Sequence, residues 1–222
     1  AHHHNITCMV EGEQAIRFLG VPADAAGITI EGEWDPLGMR GTVSKNLVFD
    51  DVFVPADQEY LPAGCFDQAA ARWPYFFMTL TFTYLGLQRA VLDFTRDYLR
   101  GGNGPDERRN HFQKQHGWAQ MRLAHEHSQA LVYRVLGEVG VDPTPTQIHR
   151  AWAAVVSVME TAPEVASLAV RVCGGRSLLR PLILERLYRD ARCGATMLPW
   201  SVEVCLDRLG RADLFDDEEV PA

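Results

Sequence analysis

Along the 222-residue chain the spacing of apolar positions changes period once. Before about residue 66 it is strand-like. "AIRFLGVP" reads as a strand running into a turn, "GITIEGEW" alternates Ile28 and Ile30 against polar partners, and "SKNLVFDDVFVP" gives two short apolar runs joined at Asp50-Asp51. Pro55 ends the last of these, and "ADQEYLPAG" reads as a crossing between domains. After about residue 72 the period is helical. Residues 73–99, 109–138, 145–173 and 181–209 each read as one long helix, separated by "RGGNGPDE", "GEVGVDPTP" and "CGGRSLLRP", with Pro163 marking a kink or a division in the third. The fold class is therefore α+β and mostly α: a partial β domain over 1–66, followed by an antiparallel four-helix bundle over 67–222. So small a sheet has to close against the bundle or against sequence outside this chain, so the chain reads as a fragment or a truncated relative of something longer.

Composition narrows the partners. Hydrophobic residues make up 47%, enough for a substantial core, and the net charge of -8 disfavours nucleic acid. Five unevenly spaced cysteines without a C-x-x-C pair suggest neither zinc nor a disulfide framework, and fit reduced thiols in the cytoplasm. "AHHH" reads as a tag remnant, and His2, His3 and His4 receive no functional weight. The apolar window "WPYFFMTLTFTYLGL" is too interrupted for a membrane span. "AWAAVVSVM" and "VASLAV" are apolar on more than one face, which points to a homo-oligomer, a dimer or a pair of dimers.

Several short stretches carry candidate chemistry. A "DPLG" turn leads to Thr42 and Ser44, whose hydroxyls can face a ligand. Gly174-Gly175 can be an anion nest, with Arg176 adding charge, or simply a helix C-cap. "LERLYRDARC" holds the i,i+4 pairs Glu185–Arg189 and Arg186–Asp190. "ERRNHF" places Arg109 three residues before Phe112. His111, His116, His125 and His127 lack an H-E-x-x-H pattern, so no metal is expected.

Two of these stretches also carry a resemblance. "WDPLGMRGTVSKNLVFDDVFVP" (34–55) is similar to the end of the β domain of acyl-CoA dehydrogenases and their flavin monooxygenase cousins, and "VRVCGGRSLLRPLILERLYRDAR" (170–192) resembles their Gly-Gly turn and following helix. The resemblance implies FAD, with Gly174 and Gly175 near its adenosine diphosphate half and Arg109 and Phe112 toward the pyrophosphate. It also implies that Arg186, Arg189, Asp190 and Arg192 form a buried network fixing the last helix. In many members a base stands six residues after the final Arg; here that position is Leu198, followed by Pro199 and by Trp200, which is assigned to the cofactor-binding set. Glu164 and Glu203 are the substitute base candidates, with Glu160 beside Glu164. The nominal function is α,β-oxidoreduction of an acyl-CoA. The alternatives are a non-catalytic subunit or oligomerisation module, and a flavin-dependent monooxygenase relative. A second subunit would supply the missing N-terminal helical domain, and the chain alone is expected to bind FAD weakly or not at all.

Overall fold

A computed structural model describes residues 2–102, 106–198 and 200–215. The chain divides into two compact units, residues 1–36 with 40–76, and residues 37–39 with the remainder from 77.

The first unit contains strands β1 (His3–Met9), β2 (Ile16–Pro22), β3 (Ile28–Glu31), β4 (Asn46–Phe49) and β5 (Glu59–Leu61), then helix α1 (Cys65–Arg72). β1, β2 and β5 form an antiparallel sheet in that order, while β3 and β4 form a separate two-stranded ribbon. Three expectations change. His3 and His4 pair with Pro22 and Val21, so the histidine-rich start is part of a strand, because ladder hydrogen bonds use the backbone whatever the side chain. β5 lies in the segment read as a crossing. The second apolar run, Val52 to Val54, stays outside both sheets, since Asp51 at φ 50 turns the chain out of the ladder, and Phe53 is 82% exposed. Aromatic rings hold α1 to β2: Phe18 lies 5.3 Å from Phe66 and 5.8 Å from Tyr60, in the range of favourable ring contacts.

Between the two lies the single turn α2 (Pro74–Phe77). The second unit is a bundle of α3 (Thr79–Leu99), α4 (Phe112–Glu138), α5 (Pro145–Cys173), α6 (Leu184–Cys193) and α7 (Val202–Leu214). α5 is its axis and packs on all four of the others. Ala151, Val155, Val158, Ala162, Val165, Ala169 and Val172 repeat at three- and four-residue steps, and all are buried. The all-round apolar character of α5, which suggested a partner chain, is thus accommodated within this one. By length and composition α5 would also pass for a membrane span, but its apolar side chains form the core of the bundle. Its start is a capping box, in which the Thr144 hydroxyl accepts from the Gln147 N–H while the Gln147 side chain accepts from the Thr144 N–H. Pro163 does not divide it. The expected fourth helix does divide, into α6 and α7. Met197 is extended, and the helix restarts under the Ser201 hydroxyl, which caps the Val204 N–H.

Candidate functional site

The segment 170–192 was expected to hold a buried charge network. Part of it exists, but it grips a different element. The Glu185 carboxylate accepts from Arg189 Nε at 3.0 Å, and a second nitrogen of Arg189 donates to the Leu37 carbonyl at 2.7 Å. Asp190 Oδ1 accepts the Met39 N–H at 2.7 Å. Gly38 lies flat on the helix, where an added Cβ would stand 2.5 Å from the Arg189 carbonyl oxygen. The Tyr84 hydroxyl donates to the Met39 thioether at 3.0 Å. The two motif segments, far apart in sequence, therefore meet as a clasp. Arg186 and Arg192 are exposed, so the network is smaller than expected and holds residues 37–39 rather than the last helix. Ser44 Oγ donates to Thr42 Oγ1 in an exposed loop.

The base candidates do not all line one hollow. Leu198 is 81% exposed and apolar. Glu203 sits in the exposed first turn of α7, where its own backbone N–H and the Ser201 hydroxyl, helped by Arg192, hold its carboxyl below the usual range. A carboxylate so stabilised is a poor proton acceptor at neutral pH. Glu160 and Glu164 lie one turn apart on α5 in a wide hollow of about 560 Å³, with Ser167, Leu168 and Arg192. Trp200 is half-buried in the bundle: its ring lies 5.2 Å from Phe77, and the Arg208 guanidinium stacks on it at 4.5 Å.

Another depression lies where the start of α4 meets the end of α5. It has a volume of about 440 Å³ and is walled by Phe112, Lys114, His116, Gln120, Leu168 and Arg171, with Gly117 and Val172 at its base. The two helices pack closely at Gly117, where an added Cβ would collide with the Val172 methyl. Two cationic side chains and a histidine line it, and among the described residues no carboxylate does. The first-turn amides of Phe112 and Gln113 lack an intrahelical acceptor, which puts partial positive charge at the same end. Two cations beside a helix start, with Gln113 and Gln120 able to turn their amide N–H groups inward, is chemistry that suits a phosphate or another compact anion. Phe112 was anticipated here. Lys114 and Arg171 were not, although Arg171 stands three residues before Gly174.

The other expected cofactor residues are dispersed. Arg109 lines a separate hollow with Arg96, Arg100 and Trp118, so the Arg109–Phe112 spacing does not place the two on one ligand. Gly174, at φ 84, is the C-cap of α5: its N–H donates to the Val170 carbonyl, and its own carbonyl accepts from the Ser177 hydroxyl at 2.7 Å and the Ser177 N–H at 2.9 Å. Of the two readings of this turn, the structure therefore displays the cap. Gly175 opens the short 3-10 turn that follows.

A small antiparallel β region followed by a multi-helix bundle defines the class. Residues 78–198, more than half of the chain, match the model of the acyl-CoA dehydrogenase C-terminal domain, and the chain belongs to that family. It is 30% identical over 91% of its length to L-evernosamine nitrososynthase of Micromonospora sp., covering 51% of that protein. It is 28% identical over 85% of its length to the putative acyl-CoA dehydrogenase YdbM of Bacillus subtilis, covering 50% of it. The chain thus spans about half the length of these curated relatives. Among solved structures, the FMN-bound dibenzothiophene monooxygenase of Paenibacillus sp. A11-2 aligns with a TM-score of 0.83 at 22% identity, over 100% of this chain and 61% of that one. The flavin there is FMN, which overturns the expectation of FAD. The expectations for Gly174 and Gly175 rest on an adenosine diphosphate, which FMN does not contain.

Proposed function

We propose that the protein is a flavin-dependent monooxygenase of this superfamily that works with FMN, and that the cleft between α4 and α5 holds the FMN phosphate. The carrying observation is the donor set of that cleft: Lys114, Arg171, His116 and the first-turn amides of α4, without a competing carboxylate among the described residues. A phosphate carries nearly two charges and several acceptor oxygens, and charge-assisted hydrogen bonds from Lys and Arg suit it. Bound there, the flavin would supply oxygen activation. The chain's own residues bind and orient: Lys114 and Arg171 neutralise the phosphate, and the Phe112 ring offers an apolar wall. Desaturation of an acyl-CoA has less support, because it needs a carboxylate base, and Leu198, Glu203 and Glu164 do not supply a buried one. The 30% identity to a nitrososynthase favours a substrate with an oxidisable heteroatom, such as an amine. Self-association fits the exposed apolar side chains Leu123, Tyr133 and Leu136 on α4.

Titration with FMN and riboflavin, which differ by the phosphate, tests the reading. FMN should bind more tightly, and Lys114→Ala with Arg171→Ala should remove that preference, by about 10- to 100-fold at about 1.5–3 kcal/mol for charged hydrogen bonds. Equal affinity for the two flavins would refute the phosphate site. Bleaching of bound flavin by an acyl-CoA, without oxygen transfer from labelled dioxygen to an amine, would refute the monooxygenase reading.

A further inference from the structure

We propose that Gln88 and His125 form an acid-sensitive pin through the bundle, joining α3, α4 and α5 while His125 is neutral and loosening them when it is protonated. Gln88 is fully buried, and its Nε2 donates to the Val158 carbonyl of α5 at 2.9 Å. A carbonyl only accepts, so that bond fixes the amide with Oε1 toward His125 Nδ1, 3.1 Å away. Oε1 also only accepts, so the neutral ring carries its proton on Nδ1. Nε2 is then a bare acceptor, and it is buried with no partner among the described residues, in a side chain 4% exposed. A second proton has to enter at this atom.

The surroundings disfavour that proton. The shallow hollow against His125 is walled by Arg89, Asp93 and Arg96 from α3 and by Trp118, Arg122 and Glu126 from α4. α5 contributes the Val158 carbonyl, through Gln88. Asp93 is engaged by Arg89 at 3.0 Å and Arg96 at 2.9 Å, and Glu126 faces Arg122 at 3.7 Å. An imidazolium there would be buried and opposed by Arg89, while Glu126 and Asp93, which would favour it, already face arginines. Burial, the largest cause, pushes the imidazole below its ordinary value and Arg89 acts in the same direction, while Glu126 and Asp93 oppose them. The grip on α5 also falls at a weak point. Pro163 has no N–H to give the Met159 carbonyl, and Val158 is the residue before it.

The pH window follows from the direction of the shift. A histidine with a depressed folded pKa binds its proton better in the unfolded chain, so its contribution is fully present above about pH 6.5 and is lost as the pH falls from there toward the folded value. Nitrogen-detected histidine NMR on the intact chain reads the state directly. The expected spectrum has His125 neutral at pH 6.5, protonated on Nδ1, and titrating below that pH. A charged ring at pH 6.5, or a proton on Nε2, overturns the proposal. Denaturation between pH 7.5 and 5.5 provides the functional readout. His125→Asn places an amide nitrogen where Nδ1 stands and cannot titrate, so the wild type should lose folding equilibrium more steeply than the variant, by up to about tenfold per pH unit for one proton. Equal slopes would overturn the pin. Should that variant not fold, Gln88→Met leaves the test intact: freeing Nδ1 of its acceptor should abolish the tautomer preference, and an unchanged tautomer would count against the pin.

Discussion

The β unit and the bundle bury their apolar residues very differently. In the bundle every helix hides a stripe, and α5 hides the broadest one, leaving Glu164, Ser167 and Arg171 exposed. In the β unit Val21 is the fully buried strand side chain, while Met9, Ile30 and Phe53 are more than half exposed. A helix closes its own backbone hydrogen bonds and needs company on one face; a sheet of three short strands needs a second layer to become a core. Stability in this chain is therefore concentrated in the bundle, and the cleft proposed for the phosphate is built on two of its long helices, on backbone that holds side chains in place. The sharpest contrast is between Met121, fully buried in α4, and Ile30, 65% exposed in β3. Met121→Ala should cost about 2–5 kcal/mol, whereas Ile30→Ala should change stability by no more than about 0.5 kcal/mol. Urea denaturation followed by circular dichroism measures both. A cost at Ile30 matching that at Met121 would mean that the sheet face is covered in solution.

Within the bundle, packing should be least forgiving where α6 ends. A Cβ on Gly194 would stand 2.6 Å from the Tyr84 ring and 2.7 Å from the Met159 sulfur. Gly194→Ala should therefore destabilise by about 1–3 kcal/mol through overpacking, although alanine is the better helix former. A stabilised variant would show that Tyr84 can move aside.

The clasp lies between the two extremes, because it brings a loop segment into the bundle. Asp190→Ala leaves the Met39 N–H without its acceptor in a half-buried position, and the expected loss is about 1–3 kcal/mol. Thermal melting of Asp190→Ala beside Arg186→Ala checks it. Arg186 is exposed and should be near neutral, so equal losses would restore the larger charge network expected from the sequence.

How much of this was legible follows the same contrast. The three long helices α3, α4 and α5 announce themselves by a sustained period of 3.6. The break between α6 and α7 hides in a continuously apolar window and shows only as Gly194 and Pro199, the latter outside the described residues. β5 is nearly invisible because "EYL" is too short to carry a strand signal and is held by pairing with β2, whereas β1 shows a strand pattern that only the histidines at its start obscure. The cleft was half visible. Phe112 could be flagged by its spacing from Arg109, but Lys114 and Arg171 come together only through the crossing of α4 and α5. The spacing also misled, since Arg109 and Phe112 face different hollows.

The smallest expected effect is at Glu203, a bundle residue as exposed as those of the sheet. Its carboxyl lies below the ordinary range because it accepts from its own backbone N–H and the Ser201 hydroxyl at a helix N-terminus, with Arg192 adding charge. A depressed folded pKa means that the unfolded chain binds the proton better, so the contribution is present above about pH 4.5 and fades as the pH falls below it. Glu203→Gln should therefore melt slightly below the wild type at pH 7, with the gap narrowing toward pH 3.5 in parallel denaturation curves. A base poised over a substrate would require the opposite environment, one that raises the carboxyl toward neutrality. A gap that widens on acidification would place Glu203 in such an environment and return it to the list of candidate bases.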